Sequence, residues 1–258
     1  MKSETGSITS VFHDREEVAI ARIRAHCPKE GLCVAFSGGK DSIVVLDLVR
    51  RAGVPYDAHF NFTTVDPPEV LAFIREQYPD VVWERPEKTM WQLIEQHRGP
   101  PTRITRYCCA YLKERYGTGR VVVTGVRGRE SVQRGKRGLF QRCNRVHKWY
   151  LNPIVDWDVL DIWDYIRERG LSYPSLYDEG FARIGCVGCP CGDRVRDFAR
   201  WPRYRQAYLR VFAKIVSENR GGLCRHASAE AMMEWWLSET KAQDAPDAQL
   251  LPFDSDDE

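Results

Sequence analysis

The residues Ser37-Gly38-Gly39-Lys40-Asp41-Ser42 have the types that an anion cradle needs. Gly38 and Gly39 permit close backbone approach, successive N–H groups and a helix N-terminus point at the ligand, and Lys40 supplies a mobile cation. Ser37 and Ser42 add hydroxyl donors. Asp41 would repel a phosphate, so it reads as a holder of Mg²⁺ or as a positioning contact. The spacing is not the G-x-x-x-x-G-K-[ST] of a Walker loop, which excludes an ordinary kinase or GTPase reading. The second chemical signal is cysteine. Of nine in the chain, Cys108 and Cys109 are adjacent, and Cys186 and Cys189 form a C-x-x-C. An odd count in this pattern fits a disulfide framework poorly; in a reducing compartment it points to a metal, an iron–sulfur cluster or sulfur chemistry.

The third signal is charge. Between Arg127 and Lys148 eight basic residues face only Glu130, which makes either a solvated loop or a polyanion site. Arg127, Arg129 and Arg134 flank Glu130-Ser131 and could grip phosphates or an acidic substrate with planar guanidinium groups. The segment 241–258 carries one Lys against six acidic residues and reads as an acidic, disordered tail.

These residues need elements to hold them. Leu32–Phe36 is a short apolar strand that runs into the glycine loop and then into an apolar-periodic helix closed by Gly53, an arrangement suited to phosphate. Strands at 56–62, 81–84 and 120–124 alternate with helices at 68–78, 89–97 and 108–115. The alternation predicts an α/β fold, a parallel twisted sheet covered by helices on both faces, with its ligand beyond the carboxyl ends of the strands. Residues 149–155 read as an edge element, 158–169 as a helix, 173–191 as an ordered loop, and 193–239 as a helical extension. The expected organisation is a nucleotide-binding and cysteine-cluster domain over 1–192, a helical segment over 193–240 and the tail over 241–258.

At 258 residues, with 43% hydrophobic and 29% charged residues, the chain can bury a full core; a disulfide miniprotein and a largely disordered chain are excluded. No apolar run approaches the roughly 20 residues of a membrane span, and the N-terminal stretch lacks a secretory signal pattern, so the expected location is cytoplasmic.

The six-residue loop resembles that of the PP-loop family, which binds the pyrophosphate end of ATP and cleaves between the α and β phosphates. Four further stretches narrow the resemblance: 106–113 (RYCCAYLK), 125–134 (GVRGRESVQR), 152–157 (NPIVDW) and 176–190, ending in IGCVGCP. Their order is similar to that of the phosphoadenosine phosphosulfate (PAPS) reductase superfamily, especially its branch containing the ATP pyrophosphatase of DNA phosphorothioation systems, over about residues 31–190. The resemblance implies that Ser37 to Ser42, Arg127 and Arg134 contact the nucleotide, with Lys40 and Asp41 in catalysis. It also implies that Cys108, Cys109, Cys186 and Cys189 bind a 4Fe-4S cluster, for which four thiolates are apt. A zinc site made by the same four cysteines is the competing assignment. Cys143, between Arg142 and Arg145, is an alternative ligand or a sulfur-carrying thiol; Cys27, Cys33 and Cys224 read as structural.

Reductases of the superfamily carry degenerate phosphate loops and a C-terminal Glu-Cys-Gly-[Ile/Leu]-His motif. Here the loop is complete, and Gly222-Leu-Cys-Arg-His226 matches that motif poorly. The expectation is an enzyme that adenylates a substrate with ATP and Mg²⁺, releases pyrophosphate and supports sulfur transfer, with a cysteine desulfurase as candidate donor. An adenylylsulfate or phosphoadenylylsulfate reductase and a non-catalytic nucleic-acid-binding subunit are the alternatives. Nucleic acid is the expected acceptor, held by the basic loop and by Arg194, Arg196, Arg200, Trp201, Arg203, Tyr204, Arg205 and Tyr208, although an aromatic stripe at helical spacing also serves a core.

Overall fold

A computed structural model of the chain describes residues 6–130, 132–218 and 225–241. In order these form α1 (Gly6–Ala25), β1 (Leu32–Phe36), α2 (Lys40–Ala52), β2 (Tyr56–Asn61), α3 (Pro68–Gln77), β3 (Val82–Glu84), α4 (Met90–His97) and α5 (Tyr107–Leu112). There follow β4 (Val121–Val123), α6 (Val132–Gly135), β5 (Phe140–Cys143), β6 (Lys148–Leu151), α7 (Val159–Arg169), α8 (Arg194–Arg200), α9 (Pro202–Ser217) and α10 (Ala229–Lys241). Ser131, Cys224 and the tail after Lys241 lie outside the described residues, as does the Gly221-Gly222 break.

Two compact units emerge. The first comprises residues 1–61, 68–85 and 114–184, and the second 62–67, 86–113 and 185–258. This division differs from the expected boundary at 192: the cysteine-bearing segments fold with α8, α9 and α10, whose side chains supply their core.

The first unit holds a six-stranded sheet of order β3-β2-β1-β4-β6-β5. Five strands are parallel, as the alternation of elements predicts, and β5 pairs antiparallel with β6. Thus 149–155 does not end the sheet; β5, from within the basic stretch read as a loop, adds itself outside β6. The chain runs from β1 outward through β2 and β3, then returns to the other side of β1 with β4. That reversal makes a switch point between β1 and β4, and the phosphate loop leaves β1 there. Leu32, Val34 and Phe36 are buried, and α2 packs its apolar residues, Ile43 to Leu46, Leu48 and Val49, into the same core. Gly53 in the left-handed conformation closes α2, while α7 opens with a capping box in which Asp158 accepts from Leu160 N and Asp161 N.

In the second unit the aromatic stripe of α9 lies inside. Tyr208 and Phe212 are fully buried and pack against Trp236 of α10, tilted and edge-on respectively, while Phe198 of α8 packs edge-on against Tyr208. Trp201 is 7% exposed and Arg194 is buried. Of the residues expected on a nucleic-acid surface here, Arg194, Trp201 and Tyr208 therefore belong to a core, because burying these rings removes apolar area from water, while Arg200, Arg203 and Arg205 are exposed. No helix of the described residues is long and apolar enough to cross a membrane.

Candidate functional site

The phosphate loop lies in the first unit. Gly38 has φ +71°, and a Cβ there would stand 2.9 Å from Ile74 Cδ1, so both backbone and packing require glycine. Gly39 is the extended N-cap of α2 with no side-chain cap, which leaves the opening of the helix to a ligand. Ser42 Oγ donates to Gly39 O at 2.8 Å and accepts from Ser37 N at 3.2 Å, tying the loop across its base. At Gly125, just after β4, a Cβ would meet the Asp41 backbone at 2.9 Å, which shows how closely the β4 end approaches.

Lys40 is 4% exposed, and its ammonium donates to Asp41 Oδ2 at 3.0 Å and to Ala182 O at 3.4 Å. Buried Arg127 donates through Nε to Asp41 Oδ1 at 2.6 Å, so both oxygens of Asp41 serve cations, as a positioning contact would. Arg134 pairs with Glu130, which also receives Arg127. Burial, and then the neighbouring charges of Arg183 and Arg137, hold the Arg134 guanidinium below its ordinary range; a polyanion would relieve that repulsion. Arg129 is at the surface, paired with Asp158.

Tyr177 was missed by sequence reasoning. Its hydroxyl accepts the Lys40 N–H at 2.9 Å, its ring lies 5.6 Å from the Lys40 ammonium, and burial pushes its phenol up, keeping it a neutral donor. Its motif neighbours Leu176 and Gly180 were visible, but nothing local to residue 177 connects it to a loop 137 positions away.

The cysteine centre lies in the second unit. Cys108, Cys109, Cys186 and Cys189 line one recess together with Thr63, Lys113 and Tyr208. Cys186 Sγ donates to Thr63 Oγ1 at 3.4 Å. Burial raises the Cys186 thiol, and the Cys109 hydrogen bond followed by burial raises Cys108, so neutral thiols are favoured until a cation enters. Lys113, whose role the sequence did not reveal, faces the set: Cys186 first and then Cys189 hold its ammonium above its ordinary range. Cys191 is not itself in the lining but adjoins it through Cys189. Hydrogen bonding from Cys189 and the charge of Arg106, whose Nη1 donates to Cys191 Sγ at 3.8 Å, lower its thiol to about 5.

A tetrahedral zinc site with Zn–S near 2.3 Å holds its thiolates roughly 3.8 Å apart. Among the described residues, the one group of three or more such ligand atoms within 4.8 Å of one another is elsewhere, at Cys33, Asp57 and His59. The four recess thiols do not make such a group in this structure. In the Cys33 group, Arg120 donates to both Asp57 oxygens and holds that carboxyl down at about 2, while burial pushes Cys33 up to about 12. Cys143, half-buried in β5 with Lys148 as register partner, is not among the recess residues.

An uncharacterized protein of Methanocaldococcus jannaschii is 31% identical over 63% of this chain; the chain covers only 36% of that relative's length. A phosphoadenosine 5'-phosphosulfate reductase of Gloeobacter violaceus is 28% identical over 73% of this chain and 83% of its own. The crystal structure of the phosphoadenylyl-sulfate (PAPS) reductase from Candida auris in a phosphate complex shares the fold, with TM-score 0.50 and 18% identity over 72% of this chain and 97% of that one. The profile of the phosphoadenosine phosphosulfate reductase domain matches residues 31–191, so the span that carries both the phosphate loop and the four cysteines belongs to that family of sulfur-handling, nucleotide-binding enzymes.

Proposed function

We propose that the chain is an ATP pyrophosphatase that adenylates a substrate and supports sulfur transfer. A substrate oxygen attacks the α-phosphorus of ATP, the bond to the β-phosphate breaks, and pyrophosphate leaves. A sulfur nucleophile then attacks the atom bearing the adenylated oxygen, and AMP departs with that oxygen. The observation that carries this reading is the complete loop: Gly38 at positive φ, an uncapped α2 N-terminus, and buried Lys40 beside Asp41. Lys40, the loop amides and the Arg127–Arg134 cluster would stabilise charge on the departing pyrophosphate. Mg²⁺ would arrive on the phosphate oxygens and neutralise them.

Cys108, Cys109, Cys186 and Cys189 would hold a 4Fe-4S cluster, which supplies a binding point for sulfur or electrons when bound. Lys113 would balance the charge of the thiolates around it, and Thr63 would donate to Cys186 after that thiol is deprotonated.

The test is pyrophosphate release from ATP and Mg²⁺ by anaerobically prepared protein, with iron measured on the same sample. The expected result is release that Lys40→Ala abolishes, from a protein with about four irons per chain. Zinc in place of iron would overturn the cluster assignment. The reductase reading is favoured by the name of the Gloeobacter relative. Absence of pyrophosphate release, together with sulfite formed from adenylylsulfate and a thiol donor, would establish that reading instead.

A further inference from the structure

The basic stretch after the arginine loop forms a surface that the proposed chemistry does not use. From residue 135 to residue 155 the chain contains five Lys or Arg, of which Lys148 is buried, and no Asp or Glu. Its centre is the β5–β6 hairpin at the edge of the sheet, where Arg142 lies directly opposite Trp149 and Phe140 sits two residues along on the same face.

Four side chains make a continuous stack there. His26 of the α1 end meets Phe140 at 4.8 Å between ring centroids, Phe140 meets Trp149 at 5.0 Å with planes only 8° apart, and the Arg142 guanidinium carbon lies 5.7 Å from the Trp149 centroid. Phe140 is 36% exposed and Trp149 39%, so both rings reach solvent. A cross-strand aromatic pair can lock an edge strand, and one arginine can guard it against pairing. Neither role explains why Lys136, Arg137 and Arg142 are all exposed in a stretch without an acidic residue; Arg145, also exposed, pairs with Glu114 at 2.5 Å.

We infer that this hairpin is a binding platform for single-stranded nucleic acid, the acceptor side of the proposed sulfur transfer. The cations would neutralise backbone phosphates, and a base would continue the stack beyond Arg142 or replace its guanidinium on Trp149. Flat π faces beside cations suit unpaired bases, whereas a duplex hides its base faces and an acidic protein surface offers none. The inference rests on the sulfur-transfer reading only for its biological role, because binding is measurable without ATP.

The test is fluorescence anisotropy of a labelled single-stranded oligothymidylate about twelve nucleotides long, a length within the ~4–16 nucleotide footprints of single-strand binders, with the duplex of equal length as comparison. Expected results are a preference for the single strand and at least about fivefold weaker binding on Trp149→Leu or Phe140→Leu. Arg142→Gln should reduce the slope of log affinity against log salt by about 0.7. The leucine variants keep an apolar β residue, and equal thermal midpoints show that they fold; should they not, Arg142→Gln and Lys136→Gln, at exposed positions, carry the test. Wild-type affinity in folded leucine variants would overturn the platform, as would equal binding of duplex. So would a protein dimer that dissociates on Trp149→Leu, which would make the edge a contact between two copies. Oligonucleotide binding without pyrophosphate release leaves the platform and removes the ATP reading; release without binding does the reverse.

Discussion

Tyr177→Phe isolates a single hydroxyl at the phosphate loop. The ring stays, and with it the contact to the Lys40 ammonium 5.6 Å from its centroid; what goes is the oxygen that accepts Lys40 N–H at 2.9 Å and the proton that it carries. A tyrosine hydroxyl accepts and donates at once, so a phosphate oxygen at the loop would take the phenolic proton while the Lys40 amide polarises the same oxygen. A hydrogen bond to a charged group contributes about 1.5–3 kcal/mol, which predicts pyrophosphate binding weaker by roughly 12- to 160-fold. Isothermal titration with pyrophosphate and Mg²⁺ measures it, and the KM for ATP in pyrophosphate release should rise in parallel. The opposite sign is physically available: if the hydroxyl merely plugs the amide, its removal frees Lys40 N–H and binding tightens by about 2- to 12-fold, the worth of one neutral hydrogen bond of about 0.5–1.5 kcal/mol. Unchanged or tighter binding by Tyr177→Phe therefore refutes the donor role.

Gly38→Ala should cost about 1–3 kcal/mol of stability and abolish nucleotide binding, since it combines φ +71° with a Cβ 2.9 Å from Ile74 Cδ1; urea unfolding with and without pyrophosphate reads both effects. Trp236→Phe removes the indole N–H that donates to Pro101 O at 2.7 Å, and urea denaturation should show a loss of about 1–3 kcal/mol from the orphaned carbonyl and the lost ring. Burial pushes the Asp197 carboxyl up to about 6 while Gly188 N donates to it at 2.9 Å. The fold then binds more protons than the unfolded chain, whose Asp titrates near 3.9, so this group's contribution falls as pH rises between about 4 and 6, by about 1–2 kcal/mol after allowance for partial exposure. Asp197→Asn should remove that slope and be the more stable protein at pH 7, and a wild-type slope retained in the variant would contradict the assignment.

The elements around the phosphate loop were legible because their causes are local. An apolar run of five residues, two glycines and an apolar-periodic helix ended by Gly53 specify strand, turn and helix with no help from distant residues. The same holds for α7, whose capping box lies within four residues. The edge hairpin was not legible: Phe140–Cys143 has too few apolar residues to announce a strand inside a basic stretch, and it exists because β6 offers an open edge to pair with. The stripe on α9 was legible as a face but not as to what covers it, since helical spacing is the same for a core and for a platform; Trp236 and Phe198 decide for the core.

From the sequence alone come the anion cradle, the alternating α/β order and the paired cysteine spacings, all carried by short-range chemistry that survives in any surroundings. Tertiary structure alone decides that Asp41 serves Arg127 from 86 positions away, that Tyr177 reaches the Lys40 amide, and that Lys113 faces Cys186. Such contacts depend on which buried faces meet, and the free energy that selects them is spread over the whole core and leaves no periodic mark on the residues it joins.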